Sequence, residues 1–341
     1  MKIKWIAFFL QVISILFLLT GCAFFYGPTC DRTGINKLDV DLSAQVDQRM
    51  KETLVNYNYI SVALIRDGRI ILIKSYGHDR LEKKDVYASV SKPVTAMILL
   101  QLLQERKISS LDDEIGRYHP RYKDTVPEDC GEHQITFRHL LTHTSGVSHE
   151  SKLWDHGKLK LEFCPGDDVQ YSSHGYGILG DVMEKITGKS YKQLVRDYIG
   201  KPINAKSFTV LLPFFDAPAG QVASTIEDMA RFANAVMEGR YISKDMLYQE
   251  VLKQYAEDRH GPIGLGWYCT GVDTLDVAGY HAGSNGRPRA FLAIKPHKKN
   301  AVALLGLNRS EKGAHDFGKL TIDLMAIIEN RQTDETDHST G

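Results

Sequence analysis

The sequence predicts a mixed α/β (α+β) fold: one sheet assembled from the two ends of the chain, faced by terminal helices, with a helical subdomain beside it. Two observations carry this. β-rich runs occur at Tyr59–Gly77 and again at Ile263–Gly271, Arg287–Ile294 and Ala301–Asn308, whereas the segments between them carry helical signals. Amphipathic helical stretches also bracket the strands at both chain ends. With 341 residues, 43% of them hydrophobic, the chain has material for a large core. Lys+Arg and Asp+Glu both number 42, and no basic stripe or nucleic-acid motif is visible, which argues against a polyanion partner.

In chain order, Lys2 and Lys4 precede an apolar run, Trp5–Leu19, of signal-peptide length and short for a membrane span. The run ends in Leu19-Thr20-Gly21-Cys22. This resembles the bacterial lipobox, in which the signal is cut before the cysteine and the cysteine is lipidated; an ordinary signal or an uncleaved anchor is the alternative. The expectation is a signal peptide over 1–21, lipid on Cys22 and a tether over 22–37. Ala23 rather than Asp after the cysteine favours the outer membrane, facing the periplasm, in a Gram-negative cell, and the cell-surface membrane in a Gram-positive one.

Residues 38–331 are expected to form the folded unit, its sheet drawn from about 38–78 and 262–331 and its helical region from about 79–261. Leu38–Val55 fits an amphipathic helix with Val46, Met50, Leu54 and Val55 near one face. Asp67-Gly68 supplies the positive φ of a tight hairpin turn between two β-rich runs. Ser91–Lys107 is apolar nearly all round, the mark of a buried helix, with Pro93 in its first turn, where a missing N–H does no harm. Tyr176–Gly188 and Ser224–Gly239 are helices stopped by Gly, and Asp316–Asn330 closes the unit as a helix. The polar residues 332–341 are expected to be disordered. Setting Cys22 aside, four cysteines allow three disulfide connectivities. Cys130 and Cys164 are the closest pair and bracket a loop region, so they are expected to pair, leaving Cys30 with Cys269.

The chemistry begins at Ser89-Val90-Ser91-Lys92, where the buried helix starts. Residues i and i+3 share a helix face, so the Lys92 amine can reach the Ser89 hydroxyl. A serine hydroxyl is a weak nucleophile until a base takes its proton, and burial and the helix dipole both disfavour an ammonium there. The motif by itself is weak, since a chain of this length holds about one Ser-x-x-Lys by chance. Two further stretches raise its weight: Tyr171-Ser172-Ser173 after a Pro-Gly turn, and His281-Ala282-Gly283 beside a strand.

In that order these motifs resemble the Ser-x-x-Lys, Tyr-x-Asn and Lys/His-x-Gly set of the serine β-lactamase and penicillin-binding protein superfamily, near its class C, DD-peptidase and family VIII esterase branch. Leu111–Pro120, Ile135–Val147 and Ala219–Gly239 resemble connecting stretches of the same family, so the likeness runs from Leu38 to Asn330. The resemblance implies an antiparallel sheet with a helical subdomain, and an acyl-enzyme serine hydrolase that needs no metal or organic cofactor. Ser89 would be the nucleophile, Lys92 its base, and Tyr171 the relay to the leaving group. His281 would hydrogen-bond Tyr171 or steady a substrate carboxylate. Backbone N–H groups of Ser89 and Ser284, next to Gly283, would form the oxyanion hole. The substrate would be a D-amino-acid peptide, a small ester or a β-lactam-like compound; a sensor or scaffold that acylates without turnover is the alternative.

Two positions depart from the pattern. Ser173 stands where the family has Asn, and its side chain is shorter with fewer donors. His281 stands where efficient class C β-lactamases have lysine, and a neutral imidazole holds a carboxylate less firmly. Both favour an esterase or specialised peptidase over a penicillinase. His139 and His143 form His-x-x-x-His but lack the following Glu of a zincin, which makes them a structural pair. Trp267 and Tyr268 are expected in core or cleft wall, and Leu81–Asp85 as a solvated loop.

Overall fold

A computed structural model describes residues 30–31, 40–149, 152–271, 278–310 and 317–329. The expected signal peptide, the lipidation site Cys22 and the polar tail lie outside these residues. Nine strands form an antiparallel sheet in the spatial order β1-β3-β2-β14-β13-β12-β11-β10-β9. They are β1 (Cys30–Asp31), β2 (Tyr57–Arg66), β3 (Arg69–Tyr76), β9 (Ala256–Asp258), β10 (Gly261–Ile263), β11 (Tyr268–Thr270), β12 (Ala278–Ser284), β13 (Pro288–Lys295) and β14 (Asn300–Asn308). The two chain ends meet where β2 pairs with β14. The expected sheet of antiparallel strands flanked by terminal helices is therefore observed. It begins a few residues earlier than expected, at Ala256. It also recruits Cys30–Asp31, from the stretch read as tether, onto the edge of β3.

The β2–β3 hairpin turns on two residues between the paired Arg66 and Arg69. Asp67 and Gly68 take φ of 53° and 74°, the double positive φ that matches the right-handed twist of the strands. Both faces of the central strands are buried, so β14 reads as a continuous apolar run. Ala301, Ala303 and Leu305 belong to one core and Val302 and Leu304 to the other, as period-two geometry demands.

On the outer face lie helices α1 (Val40–Leu54) and α6 (Phe317–Glu329). Leu42, Val46 and Met50 of α1 are buried, but Val55 is 67% exposed, because the helix ends at Leu54 and the chain turns away. Arg49 Nε donates to Asp323 at 2.7 Å, tying the two helices together. Lys74 Nζ donates to Ser43 (2.6 Å) and Asp47 (3.1 Å), fastening α1 to β3.

On the inner face α2 (Ser91–Gln104) runs through the molecule with Ser91 to Leu100 and Leu102 buried. Around it are α3 (Phe137–Leu141), α4 (Ser173–Thr187) and α5 (Ile226–Glu238). Thr225 caps α5, and Gly188 and Gly239 end α4 and α5 in the left-handed conformation, as the stop signals predict. This helical region also carries two small sheets: β4 (Asp85–Val86), β8 (Val222–Ser224) and β7 (Thr209–Val210) in one, and β5 (Trp154–Asp155) with β6 (Lys158–Leu159) in the other. Leu81–Asp85 is solvated only in its middle. Leu81 is buried, and Asp85 is buried beneath Arg80 where it accepts from Tyr59 Oη at 2.7 Å.

Cys130 and Cys164 form the expected disulfide. The other expected pair is not formed: Cys269 is a buried free thiol whose pKa burial pushes up to about 12. Cys30 sits on the edge strand β1, six strand spacings from Cys269 on β11. That is roughly 29 Å, against a Cα separation of about 7 Å at most for a disulfide. The Cys130–Cys164 bond closes a separation of 34 residues. In the chain-entropy account it contributes about 3–4 kcal/mol. The Cys130→Ser/Cys164→Ser protein should lose stability of that order, measured as a lower urea midpoint with an m-value that rises as the unfolded chain expands; an unchanged midpoint would refute the assignment.

Candidate active site

Ser89 lies in a 3₁₀ turn, Ala88–Val90, that leads directly into α2. Ala88 takes φ of 45°, a conformation L side chains rarely adopt, immediately before Ser89. The turn is held from β8: Tyr87 N–H donates to Val222 O at 2.8 Å and Val222 N–H to Ser91 Oγ at 3.1 Å. Lys92, one turn on, is fully buried. Its amine donates to Tyr171 Oη at 2.6 Å, to Ala219 O at 3.3 Å and to Ser89 Oγ at 3.4 Å. These partners are two hydroxyls and a carbonyl, so among the described residues no carboxylate hydrogen-bonds the amine. The Tyr171 and Tyr176 rings lie 4.4 and 5.4 Å from it.

Tyr171 precedes α4, and its conformation is set by His143, a residue read from sequence as structural. His143 O accepts from Gln170 N–H at 2.9 Å, and His143 Nδ1 accepts from Ser172 N–H at 3.1 Å. The His143 ring lies 4.5 Å from that of Tyr171. Bonds on both sides of Tyr171 thus come from one buried residue, through its carbonyl and its imidazole, and burial and then the Lys92 charge hold the pKa of that imidazole well below its ordinary value. His139 does something else: its Nδ1 accepts from Thr136 N–H and completes the capping box of α3. The two rings do not converge.

On the opposite wall, β12 alternates, with Gly279, His281 and Gly283 buried and Ala282 and Ser284 exposed. His281 Nδ1 meets Ala282 O at 2.7 Å, and a carbonyl accepts only, so Nδ1 carries the proton and Nε2 the lone pair. This bond is to its own neighbour rather than to Tyr171. Burial, and secondarily Lys92, push the pKa of His281 down to about 3, so the imidazole is neutral. Gly283 allows the closest approach of the two walls. A Cβ there would stand 2.2 Å from Tyr87 O and 3.2 Å from Ser89 N. The absence of a side chain brings the backbone at Ser284 beside that of Ser89, the pair expected to bind an oxyanion.

Ser89, Tyr171, His281, Gly283 and Ser284 all line one cleft of about 1450 Å³. Lys92 lies beneath it. Ser173 opens α4 behind Tyr171, with its N–H donating to His149 Nδ1 at 3.1 Å. The cleft also takes in His149 and Tyr268, while Trp267 is buried core. Sequence reasoning missed Ala219 and His149. Ala219 contributes a carbonyl, which no residue type signals; His149 follows the quoted stretch by two residues and carries no spacing of its own.

The fold is that of the β-lactamase-type hydrolases. The family model described as Beta-lactamase matches residues 46–318, and the chain belongs to that family. Protein flp of Staphylococcus aureus is 22% identical over 329 residues, covering 81% of this chain and 65% of its own length. This chain therefore spans a little under two thirds of that relative. The teichoic acid D-alanine hydrolase of the same species is 28% identical over 177 residues, 47% of this chain and 42% of its own. Among solved structures, a β-lactamase/D-alanine carboxypeptidase from Yersinia pestis superposes with a TM-score of 0.70 at 20% identity, covering 86% of this chain and 99% of its own. At that identity the likeness is one of fold.

Two outcomes are expected. Gly283→Ala should leave a folded protein whose reaction with an acylating probe is at least about 100-fold slower, the size of a lost oxyanion donor, by stopped-flow labelling. His281 has an ordinary pKa of 6.5 and a folded one of about 3. Between those values the unfolded chain binds a proton that the folded chain refuses, so stability falls as pH drops through the window. One such group contributes up to about 1.4 kcal/mol per pH unit. In His281→Asn the slope of unfolding free energy against pH from 4 to 6 should flatten by nearly that amount; an unchanged slope would show that the imidazole is not buried neutral.

Proposed function

We propose that this chain hydrolyses an ester or amide of a D-amino acid through an acyl-enzyme on Ser89. The observation that carries the reading is the buried Lys92 amine, within hydrogen-bond reach of both Ser89 Oγ and Tyr171 Oη. In its uncharged form Lys92 takes the Ser89 proton as Oγ attacks the carbonyl. The developing oxyanion is received by the backbone N–H groups of Ser89 and Ser284. Tyr171, hydrogen-bonded to Lys92, returns a proton to the leaving alcohol or amine. Water then attacks the ester of Ser89 and releases the acid, with the proton path reversed.

The neutral His281 narrows the substrate. An uncharged imidazole with its lone pair on Nε2 offers no cation to a leaving-group carboxylate, which favours esters and amides without one over penicillins. The D-alanine named in the carboxypeptidase and in the teichoic acid hydrolase supports a D-alanyl acyl group. The disulfide supports an oxidising compartment, in keeping with export and tethering through lipid on Cys22.

The test is intact mass after brief exposure to benzylpenicillin, alongside hydrolysis of D-alanyl esters, for wild type and Ser89→Ala. Wild type should cleave the esters at least about 1000-fold faster than Ser89→Ala and turn benzylpenicillin over poorly. A lasting penicillin adduct without ester cleavage would identify a sensor. Penicillin turnover at the speed of class C enzymes, or equal ester cleavage by Ser89→Ala, would reject the proposal.

A further inference from the structure

His174 lies in the first turn of α4 and has no part in the steps above. Its Nδ1 is 2.8 Å from Ser148 O, and a carbonyl only accepts, so Nδ1 carries a proton. Its Nε2 is 3.4 Å from Asp216 Oδ2, and an ionised carboxylate also only accepts. Both ring nitrogens therefore face acceptors. The contact is satisfied only when the pair holds one proton more than a neutral imidazole and a carboxylate carry between them. That proton sits on Nε2 of an imidazolium or on Oδ2 of a carboxylic acid. Burial raises the pKa of Asp216 against the opposing charges of His174, His149 and Lys92, which helps the pair retain it. The other oxygen, Oδ1, is buried with no hydrogen-bond partner among the described residues. It lies over Gly177 of α4, where a Cβ would stand 2.8 Å from it.

The pair joins the two segments that hold the Lys92 amine. Asp216 begins the turn Ala217–Gly220, and its carbonyl accepts from Ala219 N–H at 2.9 Å. From that turn Pro218 O accepts from Thr95 Oγ1 at 2.7 Å, and Ala219 O accepts from Lys92 Nζ at 3.3 Å. His174 follows shortly after Tyr171, whose Oη takes the amine at 2.6 Å. Without the shared proton, the lone pair on Nε2 would face a bare carboxylate and the contact would turn repulsive. The carboxylate would also stand as an unpaired negative charge near Lys92 and favour its ammonium, which cannot accept the Ser89 proton. The other titratable groups facing the pair are Lys92 on α2 and His149 after α3. We propose that His174 and Asp216 are positioning residues that share one proton, fasten the Ala217–Gly220 turn to α4 and keep Lys92 available as the base, so that loss of this proton sets the alkaline limit of the reaction. This rests on the acyl-enzyme reading above and deepens it.

The experiment measures kcat/KM from about pH 5 to 9 on an N-acetyl-D-alanyl ester, which has no titrating group of its own, in wild type, Asp216→Asn, His174→Gln and Ser89→Ala. The His174 ring is followed in parallel by ¹⁵N NMR, its signals assigned by their loss in His174→Gln. Wild type should fall at least about tenfold through an alkaline limb, less than the whole worth of a general base. The midpoint of that limb should coincide with the NMR titration of His174. In Asp216→Asn the amide N–H can donate to the lone pair of a neutral His174, and no negative charge is left behind. That variant should stay within about threefold across the same limb. A limb unmoved in Asp216→Asn, a wild-type profile flat to the alkaline end, or a His174 ring that does not titrate with the limb would overturn the shared proton and leave the hydrolase reading intact. So would a uniform loss in His174→Gln at every pH with the limb in place, the mark of a merely structural contact. Activity of Ser89→Ala equal to wild type, or no cleavage of the ester at any pH, would overturn the hydrolase reading and this inference with it.

Discussion

A lysine amine buried without a hydrogen-bonded carboxylate is costly to maintain, and most of the architecture around the cleft can be understood as meeting that cost. Lys92 reaches the interior because α2 is apolar on every side and runs between the sheet and the other helices. Once there, its amine finds Ser89 from the turn before the helix, Tyr171 from the segment before α4, and Ala219 O from the short turn Ala217–Gly220. These partners lie up to 130 residues apart in the chain, so the site exists only when the whole helical region has packed. His143 and His281 are kept neutral first by their own burial and then, when the amine is protonated, by the charge of Lys92.

The sheet contributes proximity rather than chemistry. β12 enters the cleft as a backbone edge, and Gly283 lets that edge approach Tyr87 and Ser89 closer than any side chain would allow. The long pairings β2–β14, β14–β13 and β13–β12 hold the edge rigidly against the turn. Terminal helices α1 and α6, joined by Arg49 and Asp323, seal the outer face. Reactive geometry thus rests on stiff strands on one side and on a buried polar cluster on the other.

The helical wall carries finer choices. His143 and His149 each accept a backbone N–H from the segment that bears Tyr171, from Ser172 and Ser173 in turn, so two rings hold one tyrosine between them. The buried His143 is tied to the chemistry by position alone. The more exposed His149 lines the cleft.

Local signals in the sequence determined a good part of this protein. Periodicity and Gly or Thr caps marked α1, α2, α4 and α5, Asp67-Gly68 marked the hairpin, and three spaced motifs marked Ser89, Lys92, Tyr171 and His281, because each depends on neighbours within a few residues. Val55, Leu81 and Asp85 were misjudged where a chain reversal or a distant tyrosine overrode local character. The Cys130–Cys164 pair was legible from their proximity along the chain, but tertiary structure alone decided that Cys269 stays a buried thiol on β11, far from β1. It alone decided, too, that Ala219 lends its carbonyl to Lys92, and which way the rings of His143, His149 and His281 donate. Disulfides, carbonyl acceptors and tautomers are properties of groups brought together in space, and residue types along a chain do not encode a meeting that hundreds of other contacts arrange.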